Sequence, residues 1–405
     1  MEQLIGALDS ARQGKTSPIE FTPAEAGQAP RWVLREDLPA SATALEEQHG
    51  ERIAAVVRTS GSTGTPKQTL LSAEALAASA QATAERLNGH GQWLLTLQPS
   101  YVAGLAVLTR SLIASTTPVP LLEGTTDPRR FAAAAEAMTA ARRYVSLVPT
   151  QLSRLLETAD AHTLAALRRF DAILLGGGAS SPELLDRAAN LGLHVIRTYG
   201  MSETCGGCVY DGRPLPGVSI TTGITHDHDG NAHGDHASTP ISLSGPMIAL
   251  GYAEQDLTAA RFDHDERGER RFRTDDLGIL IQEAADSPVL RVTGRADDVI
   301  VTGGVKVSAE AVRLGLLADE AVREAFVGPA PDATWGQRVC AAVVMRSGDD
   351  LPEQTTARLR AELGTAAVPR QVHVLAALPM LSTGKPDRRR LLQLFAEAPP
   401  PSTGT

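Results

Sequence analysis

The chain has 405 residues, 42% hydrophobic and 21% charged, with 47 acidic against 38 basic side chains and a formal net charge of −9. This is ordinary globular composition, and no apolar run approaches the roughly 18 residues a membrane helix needs, so disordered, fibrous and membrane-spanning classes are excluded. A net negative chain without a basic cluster offers nucleic acid and anionic membranes little, and neither is expected as a partner. The length suggests two or three domains at roughly 100–200 residues each. Three cysteines make no disulfide framework, and the first twenty residues carry Glu2, Asp9, Arg12 and Lys15 around a short apolar patch, unlike a secretory signal. A cytoplasmic protein is expected. Only four of the basic residues are Lys (Lys15, Lys67, Lys306 and Lys385), in a background where Arg is the default cation. A surviving Lys therefore invites a chemical explanation, because a compact charge on a flexible stem does what a rigid fork cannot.

In chain order, Ile53–Val57 is β-branched and runs into a Ser/Gly/Thr cluster, a strand entering a loop. Ser72 is placed to cap an Ala-rich helix reaching about Leu87. Trp93–Leu97 reads as a strand, Ala103–Ala114 as a helix and Tyr144–Val148 as a strand. Ala172–Leu175 is a strand ending in Gly176-Gly177-Gly178, Pro182–Leu191 a helix and His194–Thr198 a strand. Such alternation predicts a parallel sheet covered on both faces, with ligands at the carboxyl ends of its strands. From about 208 to 303 short β runs take over, at Arg271–Arg273, Gly278–Ile281 and Val289–Val292. A compact α+β stretch follows, with a helix from Ser308, strands near Ala325–Val327 and Val339–Met345, and an Ala/Pro/Ser/Thr tail over Ala396–Thr405. The expected class is α/β: a large N-terminal domain of layered, mostly parallel sheets with helices plus a β-rich subdomain, then a small mobile α+β C-terminal domain.

Four segments carry candidate chemistry. Thr59-Ser60-Gly61-Ser62-Thr63-Gly64-Thr65-Pro66-Lys67 is rich in hydroxyl and amide donors and ends in a scarce cation, as a polyphosphate cradle would. It is not a Walker A loop, since Lys67 follows Thr65-Pro66 and precedes Gln68. Thr198-Tyr199-Gly200-Met201-Ser202-Glu203-Thr204 brings an aromatic ring, a hydroxyl and a carboxylate to a strand end, able to stack a base, touch phosphate and hold Mg²⁺. The upstream Gly177-Gly178-Ala179 would let backbone approach a planar ring closely. Arg273-Thr274-Asp275-Asp276-Leu277-Gly278, followed by Gly294-Arg295-Ala296-Asp297-Asp298, supplies a carboxylate for ribose hydroxyls and a nearby Arg. Ser382-Thr383-Gly384-Lys385-Pro386 taken alone reads as a surface turn.

Taken together and in order, these motifs resemble the core motifs of the adenylate-forming enzymes, which include acyl- and aryl-CoA synthetases, luciferases and peptide-synthetase adenylation domains. The resemblance spans about residues 55–395. Within that superfamily, the short N-terminal part and the run continuing through Cys205-Gly206-Gly207-Cys208 resemble the ligases that activate o-succinylbenzoate for menaquinone biosynthesis. The resemblance implies ATP, Mg²⁺ and coenzyme A as cofactor and co-substrates, a small-molecule carboxylate as substrate, and leaves a homodimer open. It implies that Thr59, Ser60, Gly61, Ser62, Thr63, Gly64 and Lys67 bind the phosphates and that Glu203 holds Mg²⁺, with Ser202 beside it. Gly177, Gly178, Ala179, Thr198, Tyr199, Gly200 and Met201 would frame the adenine, and Asp276 would grip the ribose with Arg295 nearby. Lys385 would bridge the attacking carboxylate and the α-phosphate. Asp297 matches a hinge between a domain of residues 1–296 and a lid of 297–395. Gly303, Gly304 and Lys306 would border the CoA channel, and Tyr101, Gly104, Leu105 and Arg197 the substrate pocket.

Two departures stand out. Tyr101 occupies the place where many relatives have His, and Asp275 stands where the Thr-Gly-Asp turn has Gly; Asp276, which precedes Leu-Gly, is the expected ribose ligand. The Cys205/Cys208 pair and the group His226, His228, His233 and His236 have metal-like composition, but the former continues the adenylate motif and the latter suits a polar hairpin loop. The rival readings are another aryl- or acyl-CoA synthetase, a free-standing enzyme loading a carrier protein, or a silent nucleotide-binding regulator. Lys385→Ala should cripple adenylation while leaving thioester formation from supplied acyl-AMP largely intact. Lys385→Arg should fail nearly as badly and Lys15→Arg should be silent, as read by the two half-reactions assayed separately.

Overall fold

The computed structural model describes residues 1–23, 28–59, 66–222, 239–281, 288–346, 350–380 and 386–397. The predicted alternation of strands and helices forms a seven-stranded sheet in the spatial order Arg213–Pro214, Gly206–Tyr210, Val195–Met201, Ala172–Leu175, Arg143–Leu147, Gln92–Leu95 and Val119–Pro120. The last five of these run parallel, with Leu174 opposite Ile196, Val145 opposite Ile173 and Trp93 opposite Tyr144. The near-continuous apolar sequence of Ala172–Leu175 follows from burial on both faces, whereas Val195–Met201 is mostly half-buried. Trp93, Leu95, Tyr144 and Leu174 point into one core, shared with helices Ala73–Arg86 and Val102–Ile113. Leu94, Val145, Leu147, Ile173 and Leu175 point into a second core under helices Pro128–Glu136, Pro149–Thr158, Ala161–Leu167 and Pro182–Asn190. Three of those four helices open with proline at the first turn, where its missing N–H costs nothing.

The predicted strand at Ile53 belongs elsewhere. Ile53–Thr59 runs parallel to Ile19–Thr22 and antiparallel to Lys67–Ser72, in a five-stranded sheet completed by Arg31–Leu34 and Gly251–Tyr252. The strands on either side of the Ser/Gly/Thr segment are thus antiparallel neighbours, with Thr59 opposite Lys67. The strand Lys67–Ser72 is missed from sequence because it is only six residues long and merges directly into the helix.

A third sheet, built on Arg270–Ile281, joins the two separately predicted runs into one twelve-residue strand, flanked by Thr239–Ser244, Val289–Arg295 and Phe262–His264. The fourth sheet orders Val305–Ser308, Val299–Thr302, Gly336–Met345 and Val322–Asp332, with Gln371–Val374 parallel to Gly336–Met345. Its two faces carry separate cores, one around Ile300, Val312, Val343 and Leu359, the other around Phe326, Cys340, Leu391 and Phe395. Among the described residues no helix is long and apolar enough to cross a membrane.

The capped helix forms as expected. Ser72 is fully buried, its Oγ accepts the Ala75 N–H at 3.0 Å and it donates to Glu51 Oε2 at 2.6 Å. Removing that hydroxyl strands a helix donor and a carboxylate together. Ser72→Ala should therefore cost about 1–2 kcal/mol, read as a lower denaturant midpoint at unchanged slope.

Candidate active site

Val195–Met201 delivers the central motif to the carboxyl end of the parallel sheet. Ser202–Thr204 makes one 3₁₀ turn, Cys205 adopts φ +53° and Gly206–Tyr210 returns antiparallel, placing Gly207 opposite Gly200. The reversal is tight enough that a Cβ on Gly200 would lie 2.0 Å from the Gly206 carbonyl, so only glycine fits. Thr204 Oγ1 accepts the Met201 N–H at 2.9 Å and donates to the Gly206 carbonyl at 2.6 Å, locking the turn. Residues 199 and 203 thereby project from one rigid element toward two different partners.

Tyr199 faces the third sheet. Its hydroxyl donates to Asp276 Oδ2 at 2.7 Å, and Arg295 donates to Asp276 Oδ1 at 3.1 Å. Asp276 and Arg295 are cross-strand partners, which is why residues nineteen positions apart meet. Strand alternation settles which aspartate faces inward: Phe272, Thr274 and Asp276 are buried on one face, while Asp275 turns to the other and pairs with Arg261 at 2.6 Å. Thr274 Oγ1 accepts the Asp276 N–H at 2.9 Å. Burial pushes the Asp276 carboxyl above its ordinary 3.8, against the hydrogen bond from Tyr199 and the nearby Arg295 charge, and burial likewise raises Tyr199, which stays a donor throughout the neutral range. Arg295 also forks onto Asp297 at 2.8 and 3.2 Å. Although burial opposes its charge, that fork holds the Asp297 carboxyl below its usual value. Arg388 reaches Asp298 and the Asp297 carbonyl from the C-terminal side, so the turn Ala296–Asp298 is gripped from two directions.

Glu203 faces the other way. It is 8% exposed and accepts the Tyr252 hydroxyl at Oε1, 2.6 Å away. Lys67 sits with Nζ 5.5 Å from the centroid of the same tyrosine ring. The strand order explains the convergence: Tyr252 pairs with Thr69, two residues along from Lys67 on the neighbouring strand. That strand is further tied down by Arg35, which donates to Gln68 at 2.8 Å and to the buried Glu20 at 2.5 Å. One buried carboxylate beside a lysine suits a magnesium ion that takes its remaining ligands from nucleotide phosphates and water.

The glycine loop after Ala172–Leu175 lies against this motif: a Cβ on Gly176 would meet Thr198 Oγ1 at 2.2 Å, and Gly177 has φ +81°. Ala179 offers its carbonyl to Arg313 of the C-terminal part at 3.3 Å. Gly303 and Gly304 form a left-handed turn against Trp335, and Lys306 is exposed on the adjoining strand.

The expected pocket residues have different surroundings. Arg197 is largely exposed and pairs with Asp211 at 3.5 Å, because Tyr210 opposes Thr198 and so sets Asp211 beside Arg197. Leu105 is 1% exposed within the main core. Gly104 is a packing glycine, since a Cβ there would come within 2.4 Å of the Leu97 and Gln98 carbonyls, while Tyr101 is half-buried at the start of the helix. Both Cys205 and Cys208 are buried; burial raises both thiols, Cys208 to about 12, which suits packing and not redox chemistry. Ser60, Gly61, Ser62, Thr63, Gly64, Lys385 and the four histidines from His226 to His236 lie outside the described residues. Tyr252 is the contact that sequence reading missed. Gly251-Tyr252 after an apolar run looks like any buried strand aromatic, and only the fold shows its hydroxyl on Glu203.

Comparison with known proteins agrees with this geometry. A model of the AMP-binding enzyme family matches residues 2–253, and one of the AMP-binding enzyme C-terminal domain matches residues 315–385. Over 355 residues the chain is 43% identical to a probable 2-succinylbenzoate–CoA ligase of Mycobacterium tuberculosis, covering 86% of either protein. The o-succinylbenzoate CoA synthetase of Bacillus subtilis, solved with its acyl-adenylate intermediate, superposes with a TM-score of 0.69 at 27% identity, over 84% of this chain and 69% of that one. The same enzyme with ATP and magnesium ion gives 0.68 at 26% identity, over 85% and 70%. The chain therefore belongs to the AMP-binding enzyme family and is an AMP-forming acyl-CoA ligase.

Proposed function

We propose that this ligase converts o-succinylbenzoate, ATP and CoA into o-succinylbenzoyl-CoA, AMP and pyrophosphate, in menaquinone biosynthesis. The observation that carries the substrate is the 43% identity, over 86% of both chains, to a protein named for that activity. In the first half-reaction a substrate carboxylate oxygen attacks the α-phosphorus and pyrophosphate leaves with the bridging electron pair. In the second, the CoA sulfur attacks the acyl carbonyl and AMP departs. Transfer at phosphorus is mostly positioning and charge neutralisation, and the residues assembled here supply both.

In this reading Asp276 accepts the ribose hydroxyls, since an ionised carboxylate keeps lone pairs free beyond those used by Tyr199 and Arg295. Tyr199, Thr198, Gly200, Met201 and the loop Gly177-Gly178-Ala179 border the adenine. Thr59, Ser60, Gly61, Ser62, Thr63, Gly64 and Lys67 hold the β- and γ-phosphates, with Ser202 alongside Glu203. Glu203 would hold magnesium, which when bound offsets the charge that develops on the departing pyrophosphate. Lys385 contacts the attacking carboxylate and the α-phosphate. The chain divides at 296/297, with Asp297 as the hinge and 396–405 as a tail, so that the lid presents Lys385 for adenylation and the Gly303-Gly304 turn, with Lys306, for CoA. Tyr101 and Gly104 border the acyl pocket. A cytoplasmic location and a homodimer belong to the same proposal.

ATP–pyrophosphate exchange with a panel of acids tests it. Exchange should appear with o-succinylbenzoate, and free CoA should then yield a thioester. Exchange with benzoate or fatty acids alone would sink the substrate; no exchange with any acid would sink the activity. A second test uses pH. Asp276 must be ionised to accept the ribose, and its pKa is raised, so ATP affinity should fall on acidification at a pH above the ordinary 3.8. In Asp276→Asn the affinity should be at least about tenfold weaker, the loss of one charged hydrogen-bond partner, and the acidic limb should vanish.

A further inference from the structure

We propose that Tyr252 is a positioning residue for the metal-bound nucleotide, orienting the Glu203 carboxylate while its ring holds Lys67. This rests on the reading of Glu203 as the magnesium carboxylate. Tyr252 is 1% exposed and its hydroxyl is spent on Glu203 Oε1 at 2.6 Å. Glu203 is tied a second time to the segment leading into that strand, since its backbone carbonyl accepts the Ala249 N–H at 2.9 Å. Side chain and main chain of one residue are therefore both fixed to a four-residue segment, and its carboxylate has one orientation to offer a metal. A buried tyrosine that needed only a partner could use any carbonyl; donation to an ionised carboxylate is the stronger, orienting kind.

The tyrosine is itself immobilised. Its N–H donates to Thr258 Oγ1 at 2.8 Å, and that hydroxyl lies 3.0 Å from the Tyr252 carbonyl. Phe262 meets its ring edge-on at 5.3 Å, and Phe272 backs Phe262 at 4.9 Å. Gly251 is held at φ +152°, where a Cβ would sit 2.6 Å from Thr258 Cγ2, so the approach of the helix Gln255–Arg261 to this strand depends on that glycine. Lys67, 5.5 Å from the ring centroid, gains a cation–π contact that holds its ammonium on the ring whose hydroxyl holds Glu203. Carboxylate and ammonium thus reach the nucleotide from one rigid support.

The test uses full-length Tyr252→Phe, which keeps the ring and deletes the hydroxyl. Mn²⁺ affinity in the presence of α,β-methylene-ATP, read by electron paramagnetic resonance, should fall about tenfold, the loss usual for a partner of a metal ligand. Calorimetric binding of the same analogue without metal, and thioester formation from supplied acyl-AMP, should stay near the unaltered enzyme. Thr258→Val, which loosens the tyrosine backbone but leaves its hydroxyl, should shift Mn²⁺ affinity the same way by less, and it carries the test should Tyr252→Phe fail to fold. Unchanged Mn²⁺ affinity in a folded Tyr252→Phe, alongside lost affinity in Glu203→Gln, would overturn the proposal and leave Tyr252 a packing residue. Unchanged affinity in Glu203→Gln would instead overturn the magnesium reading beneath it.

Discussion

A carboxylate taken out of water needs hydrogen-bond partners, and the site is organised around two that find them in the same way. Asp276 and Glu203 are each buried, and each receives a tyrosine hydroxyl at 2.6–2.7 Å. The two tyrosines come from different sheets, Tyr199 from the seven-stranded one and Tyr252 from the edge of the five-stranded one. Because Tyr199 and Glu203 lie four residues apart on one locked turn, the hydrogen bonds bind three sheets to a single strand end. The two tyrosine–carboxylate pairs are therefore spaced by covalent geometry.

The connection to the C-terminal part has a different character. It runs through exposed or half-buried guanidinium groups: Arg295 on Asp297, Arg313 on Ala179 and Arg154 on Glu324. Such contacts are individually weak and can be exchanged at little cost, unlike an apolar interface. The hydrophobic cores lie on either side of this connection, those of the C-terminal part drawing on residues from Ile300 to Phe395. The chain thus has apolar cores on both sides of a polar seam.

Much of this was legible in the sequence. The parallel strands at Tyr144 and Ala172 stood out because burial on both faces demands unbroken apolar runs, and the helix cap at Ser72 because its chemistry is local. Asp276 could be preferred over Asp275 from the Leu-Gly that follows it, and the alternation of one long strand confirms that it faces inward. The strand Lys67–Ser72 was missed, being too short and too close to a helix to show its own period. The partner of Arg197 was not legible, since Asp211 comes beside it only through the pairing of the two strands.

The sequence by itself determined the chemistry on offer: a hydroxyl-rich loop ending in a rare lysine, an aromatic and a carboxylate on one strand end, an aspartate and an arginine on facing strands. Those are properties of residue type and local spacing, which a chain carries before it folds. Only the tertiary structure decided which groups meet. Tyr252 lies 49 residues from Glu203 and belongs to no motif that marks it, and its hydroxyl finds the carboxylate because its segment, at the edge of the five-stranded sheet, lies against the turn Ser202–Thr204. Long-range pairing of this kind is set by burial and strand order, quantities that no stretch of sequence contains on its own.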